Sequence, residues 1–307
     1  MKVALLGIAA LLSFGQVSFG QAREPKSDAP IAIGEQHYRI YRGDGTAATM
    51  DELVKAVGAA EVAFIGEFHH DRVAHYLEEQ LLRKTWDERL ALSLEMFERD
   101  VQCVLDEYLA GLITEKNLIT DGRAWRNYPS DYRPLVEFAK EKRMPVIAAN
   151  APKRYVDRVS RLGAESLDQI EHEGRRFLPP LPYAKASAAY AAKFASLMKE
   201  HVGSDHSPSQ EQVGHSLEAQ NLWDASMAYS IMEFMTTHPG SRVLQVNGGF
   251  HTSERLGTVE HLLRYLPQTK NLVVAIVPDS GFPAFDADSM KGQGDFVIVT
   301  DPAVNRR

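Results

Sequence analysis

The chain has 307 residues, 44% hydrophobic and 24% charged, with a formal net charge of −7 and a pI near 5.9. This balance excludes a disordered chain and one embedded in a membrane along its body. The acidic surface offers no general attraction for nucleic acid or anionic lipid, so nucleic acid is not an expected partner. A chain this long buries one large core or two smaller ones, and Cys103, its single cysteine, leaves no intrachain disulfide.

In chain order, Met1-Lys2 leads into an apolar stretch from Val3 to Leu12, then small residues, with Ser18 and Gly20 placed for cleavage before Gln21. Residues 1–20 have the layout of a secretory signal peptide, and their apolar stretch is too short for a permanent span. Export is therefore expected. No cysteine stands near the cut to accept a lipid. Residues 21–35 contain Pro25 and Pro30 and read as a linker; 36–307 read as a single domain.

Within that domain, the runs Val62–Gly66, Leu90–Leu94, Val146–Ala149, Val243–Val246 and Leu272–Val277 are short and almost continuously apolar. Such runs belong to parallel strands covered on both faces. Helical patterns at 71–85, 98–111, 131–142 and 211–237 alternate with them. The alternation predicts right-handed crossovers and an α/β fold, a mainly parallel sheet flanked by helices. Asp295–Val299 is a further strand candidate, placed at an edge. Residues about 151–210 break the rhythm with a basic helical start, the turn-rich FLPPLPY and a helix-like stretch at 184–201. There Tyr190, Phe194 and Met198 share one face. This region reads as a helical insertion capping the functional edge of the sheet.

Ligands of open parallel sheets bind beyond the carboxyl ends of the strands. The residues after each run are therefore the candidates: Glu67 and His69 after the first, Glu95 after the second, Asn150 after the third, His251 after the fourth. Gly66 and Gly248 each stand three residues before a histidine, where positive φ or close approach would require glycine. Two such units and a carboxylate form a histidine/carboxylate set that suits zinc, iron or manganese, with His69, Glu95 and His251 as ligands. The competing reading of each histidine is a hydrogen-bonding loop residue, and His70 and His75 are left with it; His75 is as readily placed facing solvent. Asn150 reads equally as a helix cap. Gln220, Asp224 and Met227 line one stripe of a helix, facing either a site or solvent. Trp125, Tyr128 and Tyr132 form an aromatic cluster that reads as core, or as the wall of a flat apolar pocket with a tyrosine as axial haem ligand. No nucleophile elbow, Walker loop, dinucleotide fingerprint or H-E-x-x-H is present. Cys103 reads as a packing residue.

The pieces GEFHHDRVAHYLEEQLL at 66–82, LSLEMFERDVQCVLDEYLAG at 92–111, YRPLVEFAKEKRMPVIAANAPKRYV at 132–156, QNLWDASMAYSI at 220–231 and NGGFHTSERLG at 247–257 together resemble the ChaN family of the haem-uptake and Tiki-like superfamily, across roughly residues 40–270. The resemblance implies haem binding in iron uptake, with haem held by a tyrosine, Tyr132 first, and supported by His69 and His251. It also implies a haem-bridged homodimer and an outer-membrane haem receptor as partners, hence a periplasmic or outer-membrane-associated location. ChaN-like proteins are often lipoproteins; the missing lipid-accepting cysteine departs from that pattern. Tiki-like and erythromycin-esterase-like branches imply the alternative, a hydrolase using Glu67, His69, Glu95 and His251, with zinc or manganese in the Tiki-like case.

Overall fold

The computed structural model describes residues 32–201 and 209–305. The expected signal peptide, the linker up to residue 31, and most of the loop at 203–210 lie outside the described residues. The strands are β1 (Tyr38–Arg42), β2 (Val62–Glu67), β3 (Leu90–Glu98), β4 (Val146–Asn150), β5 (Arg242–Gly248), β6 (Asn271–Pro278) and β7 (Phe296–Thr300). The helices are α1 (Met50–Ala59), α2 (Arg72–Thr85), α3 (Gln102–Leu109), α4 (Glu115–Asp121), α5 (Arg133–Lys142), α6 (Lys153–Leu162), α7 (His172–Arg175), α8 (Ala188–His201), α9 (Gln210–Thr237), α10 (Thr258–Tyr265) and α11 (Ala287–Met290).

The strands form one sheet in the order β1-β7-β6-β2-β5-β3-β4. Every pair is parallel except β1 with β7. The residues of β2 and β5 are buried throughout, as parallel strands covered on both faces require. Alternate residues serve opposite faces: Ala63, Ile65, Leu92, Leu94 and Val246 pack with α1, α2, α3 and α5, whereas Val62, Phe64, Ala91 and Val243 pack with α9 and α10. Burying a Leu, Ile, Val or Phe contributes about 1.5–3 kcal/mol each, so this two-sided burial fixes the strand register.

The predicted parallel strands and the α/β class are observed. Two differences have physical causes. The stretch predicted as helical from 98 is strand up to Glu98, because β3 continues past an irregularity between Leu94 and Glu98 in its pairing with β4; α3 starts at Gln102. The run near 296–299 is not an edge, since β1 pairs outside it; the Tyr-Arg-Ile-Tyr-Arg alternation of β1 is charged enough to hide a strand.

At the opposite edge, the Gln102 side chain occupies the open side of β4. Its Nε2 donates to the Val146 carbonyl at 2.8 Å, and its Oε1 accepts from the Ala148 N–H at 2.7 Å. Among the described residues between β4 and α9 the elements are helical, as expected, α6, α7 and α8 with a short 3-10 turn, and α8 covers the loop after β5. Lys193 of α8 donates to the carbonyls of Phe250 and Ser253, and Tyr190 and Phe194 are its buried face. Among the described residues no helix is long and apolar enough to cross a membrane.

Candidate functional site

The carboxyl ends of β2, β5, β3 and β4 lie side by side, which brings Glu67, Gly248, Glu95 and Asn150 to one edge. Glu67 closes β2 opposite Gly248. Phe68–His70 then turn into α2, whose N-terminus is capped by Asp71: its Oδ1 accepts from the Val73 N–H at 3.0 Å, and its Oδ2 from Thr300 Oγ1. Asp71 is therefore a structural cap. Glu95 sits in the irregular stretch of β3, a feature that re-aims a side chain, and its Oε2 accepts the Gly248 N–H at 2.7 Å.

Both G-x-x-H glycines are required by close approach alone. Neither adopts positive φ. A Cβ on Gly66 would come 3.0 Å from Gly249 Cα; one on Gly248 would come 3.0 Å from Nε2 and Cε1 of His69. The His69 ring thus lies against the end of β5.

Two carboxylate–imidazole pairs flank Glu95. In the first, Nδ1 of His69 lies 2.8 Å from Oε1 of Glu67, which also accepts from the Tyr132 hydroxyl at 2.7 Å. In the second, Nδ1 of His251 lies 2.8 Å from Oδ1 of Asp224, and its Nε2 is 3.6 Å from Oε1 of Glu95. Thr258 donates to Asp224 at 2.8 Å and Tyr190 donates to its other oxygen; Gln220 Nε2 stands 3.3 Å from His251. Asp224 and Gln220 thus face the site.

Burial opposes the charged form of His69, but the Glu67 hydrogen bond and the charges of Glu95, Glu67 and Glu78 outweigh it and lift the imidazole to about 9. Burial likewise opposes a charged His251, and Asp224 and Glu95 again prevail in raising it. Burial penalises the Glu67 carboxylate; His69, His75 and Tyr132 together hold it below the usual range.

Beneath the first pair lies His75, which is buried rather than facing solvent. Its Nδ1 is 3.3 Å from both Glu67 Oε2 and Glu78 Oε2, and its Nε2 is 3.5 Å from Asp131 Oδ2 and 3.4 Å from the His69 carbonyl. Burial works against its charge, yet Glu78, Glu67 and Asp131 raise it to about 10. Sequence reasoning missed Glu78 and misplaced His75; their i, i+3 spacing on the buried face of α2 was the available signal. The predicted ligands His69, Glu95 and His251 lie at the strand ends, but the tightest donor group among the described residues is Glu67, His75 and Glu78, all within 4.8 Å of one another.

Tyr132 is fully buried, with its hydroxyl committed to Glu67. Burial first, then Glu67 and Glu78, push the phenol far above its ordinary value. As placed, its hydroxyl donates to Glu67 and is shielded from solvent. Trp125 is half-buried and meets His69 edge-on at 5.0 Å; Tyr128 packs on Phe97 as core. His70 is exposed. Asn150 accepts from the Ala151 N–H at 2.9 Å, and Pro152 rather than Asn150 precedes α6. Cys103 is exposed on α3, not packed.

A parallel α/β sheet with paired histidines and carboxylates at its carboxyl edge defines the broad class. The profile of the family described as haem-binding uptake, Tiki superfamily, ChaN matches residues 53–262, and the chain belongs to that family. Among solved structures it is similar to ChaN of Campylobacter jejuni with cofacial haem, with a TM-score of 0.65 and 16% identity, covering 87% of this chain and 98% of that one. It is also similar to the type III effector HopBA1, with a TM-score of 0.47 and 15% identity over 88% of this chain and 99% of that one. An erythromycin esterase mutant in its open conformation gives a TM-score of 0.44 and 14% identity over 86% and 83%. No curated protein matches the sequence.

Haem needs an apolar face beside an accessible donor. His69 leaves 36% of its side chain exposed, and Phe68 beside it is 54% exposed. With the Trp125 edge these residues fit the group better than Tyr132 does.

Proposed function

We propose that the chain is an exported haem-binding protein acting in haem and iron uptake, with haem seated beside His69. Family membership over residues 53–262 carries the reading. Bound haem would supply a redox-active iron within a wide apolar plate. The chain's own residues then have definite tasks. Glu67 holds the Nδ1 proton of His69, so that Nε2 is the donor atom once its own proton is displaced. Tyr132 steadies Glu67, while Phe68 and Trp125 contribute apolar surface. A second copy bridged by haem and an outer-membrane haem receptor belong to the same reading, as does a periplasmic or outer-membrane-associated location. Haemin titration tests it: a saturable Soret band that His69→Ala weakens at least tenfold supports the seat, and an unsaturable band removes it.

A second reading is favoured by one observation. Both imidazoles are held through Nδ1 by buried carboxylates, and the His251 Nε2 stands 3.6 Å from Glu95 Oε1. That arrangement suits a charged imidazole as general acid serving the leaving group and the other imidazole, once deprotonated, as general base acting on water, with Glu95 orienting. A hydrolase of this kind predicts that replacing His69 and His251 together abolishes hydrolysis of an ester panel; hydrolysis unchanged in that variant excludes it.

A further inference from the structure

The strand-end site described above uses only one side of Glu67. Its Oε1 serves His69 and Tyr132; its Oε2 points down to α2 and has no hydrogen-bond partner, although buried. Glu78 Oε1 is equally buried and equally unpartnered. The side chains of Glu67 and Glu78 are both wholly shielded from solvent. A buried carboxylate oxygen without a donor costs about 1–3 kcal/mol or more; here Glu67 Oε2 stands 3.3 Å from His75 Nδ1, whose hydrogen bond goes to the other Glu78 oxygen, Oε2, while Glu78 Oε1 has no donor.

His75 cannot satisfy them. Its Nε2 is directed to Asp131 and the His69 carbonyl, so a single Nδ1 faces both carboxylates at 3.3 Å. Glu67 and Glu78 are both buried against the one imidazole of His75.

The spacing suggests what is missing. Ligand atoms about 2.1 Å from one ion, at tetrahedral or octahedral angles, lie roughly 3.0–3.5 Å apart. The two 3.3 Å separations from His75 Nδ1 are edges of such a polyhedron. The surroundings follow the outer-shell pattern of metal sites, in which a ligating histidine gives its second N–H to a carboxylate or carbonyl and a ligating carboxylate is itself hydrogen-bonded. Asp131 and the His69 carbonyl meet the first condition, and Tyr132 and His69 on Glu67 Oε1 the second.

We infer that Glu67, His75 and Glu78 form a binding site for one divalent transition-metal ion beneath the strand-end site, distinct from the His69, Glu95 and His251 set. One nitrogen and two carboxylates suit manganese, iron(II) or zinc. Glu67 would join the ion to His69, so occupancy would orient that imidazole from below without contacting haem or substrate. The inference stands independently of haem binding.

The test uses the haem-free chain, stripped with chelator and refilled with Mn2+ or Zn2+ alone, followed by elemental analysis and thermal unfolding. About one ion per chain and a raised Tm are expected. Glu78→Gln, folded by circular dichroism, should lose both, while His251→Asn should keep the ion. Co2+ titration of the unaltered chain provides a readout without substitution, a d–d band saturating at one equivalent. No ion in the unaltered chain, or one that Glu78→Gln retains, overturns the inference.

Discussion

Tyr132→Phe tests how the pocket is held together. The substitution removes one hydroxyl and keeps the ring, so the edge contacts of Tyr132 with His75 at 5.0 Å and Trp125 at 6.0 Å survive. What disappears is the 2.7 Å donor to Glu67 Oε1, leaving His69 as that atom's remaining partner. A hydrogen bond to a charged group is worth about 1.5–3 kcal/mol. For a body of this size that corresponds to a Tm loss of roughly 3–10 °C. The Glu67 pKa should rise with the lost donor. Haemin affinity should stay within about twofold, because the lost hydroxyl faces inward. Thermal unfolding and Soret titration, run on the same preparations, measure both quantities. An unchanged Tm together with tenfold weaker haemin binding would refute the reasoning and return Tyr132 to the iron.

Gly248→Ala should drive the new methyl into the His69 ring, costing about 1–3 kcal/mol and displacing the His69 ring signals in NMR; an unshifted ring would contradict the packing. Asp224→Asn strips His251 of its carboxylate and should destabilise by about 3–5 kcal/mol, read by denaturant unfolding; a loss below 1 kcal/mol would mean that His251 is neutral in the fold. The raised pKa values of His69 and His75, about 9 and about 10, stabilise the fold fully below the unfolded imidazole value near 6.5 and lose that contribution as pH climbs through 9 to 10. Partly exposed His69 contributes little to this, and His75 at most about 5 kcal/mol. Urea midpoints in chelator should therefore fall between pH 6.5 and 10, and a flat profile would place His75 neutral.

The sheet was legible because a parallel strand shielded on both faces must be apolar at nearly every position, as Val62–Ile65 is. β1 was not, since only Tyr38 and Ile40 of its five residues are buried and two of the others are arginines, nor was α1, although its Thr49–Glu52 capping box is a local signature. Of the site, the strand-end residues Glu67, Glu95 and His251 were found by position alone. His75 and Glu78 escaped because polarity on a helix ordinarily signals solvent, and only tertiary packing of α2 against Tyr132 reverses that. Asp224 showed merely as a polar stripe; its pairing with His251 depends on how α9 crosses the sheet, which no local pattern encodes.

The side chain of Gln102 acts as a counterfeit strand. By engaging the carbonyl and amide that β4 would offer a neighbour, it takes that margin of the sheet out of use as a template. A second copy of this chain could not extend the sheet from β4, because a backbone ladder running on from it is blocked at its first rung. An alanine there would reopen the margin, and the same domain would then carry a latent route to filaments.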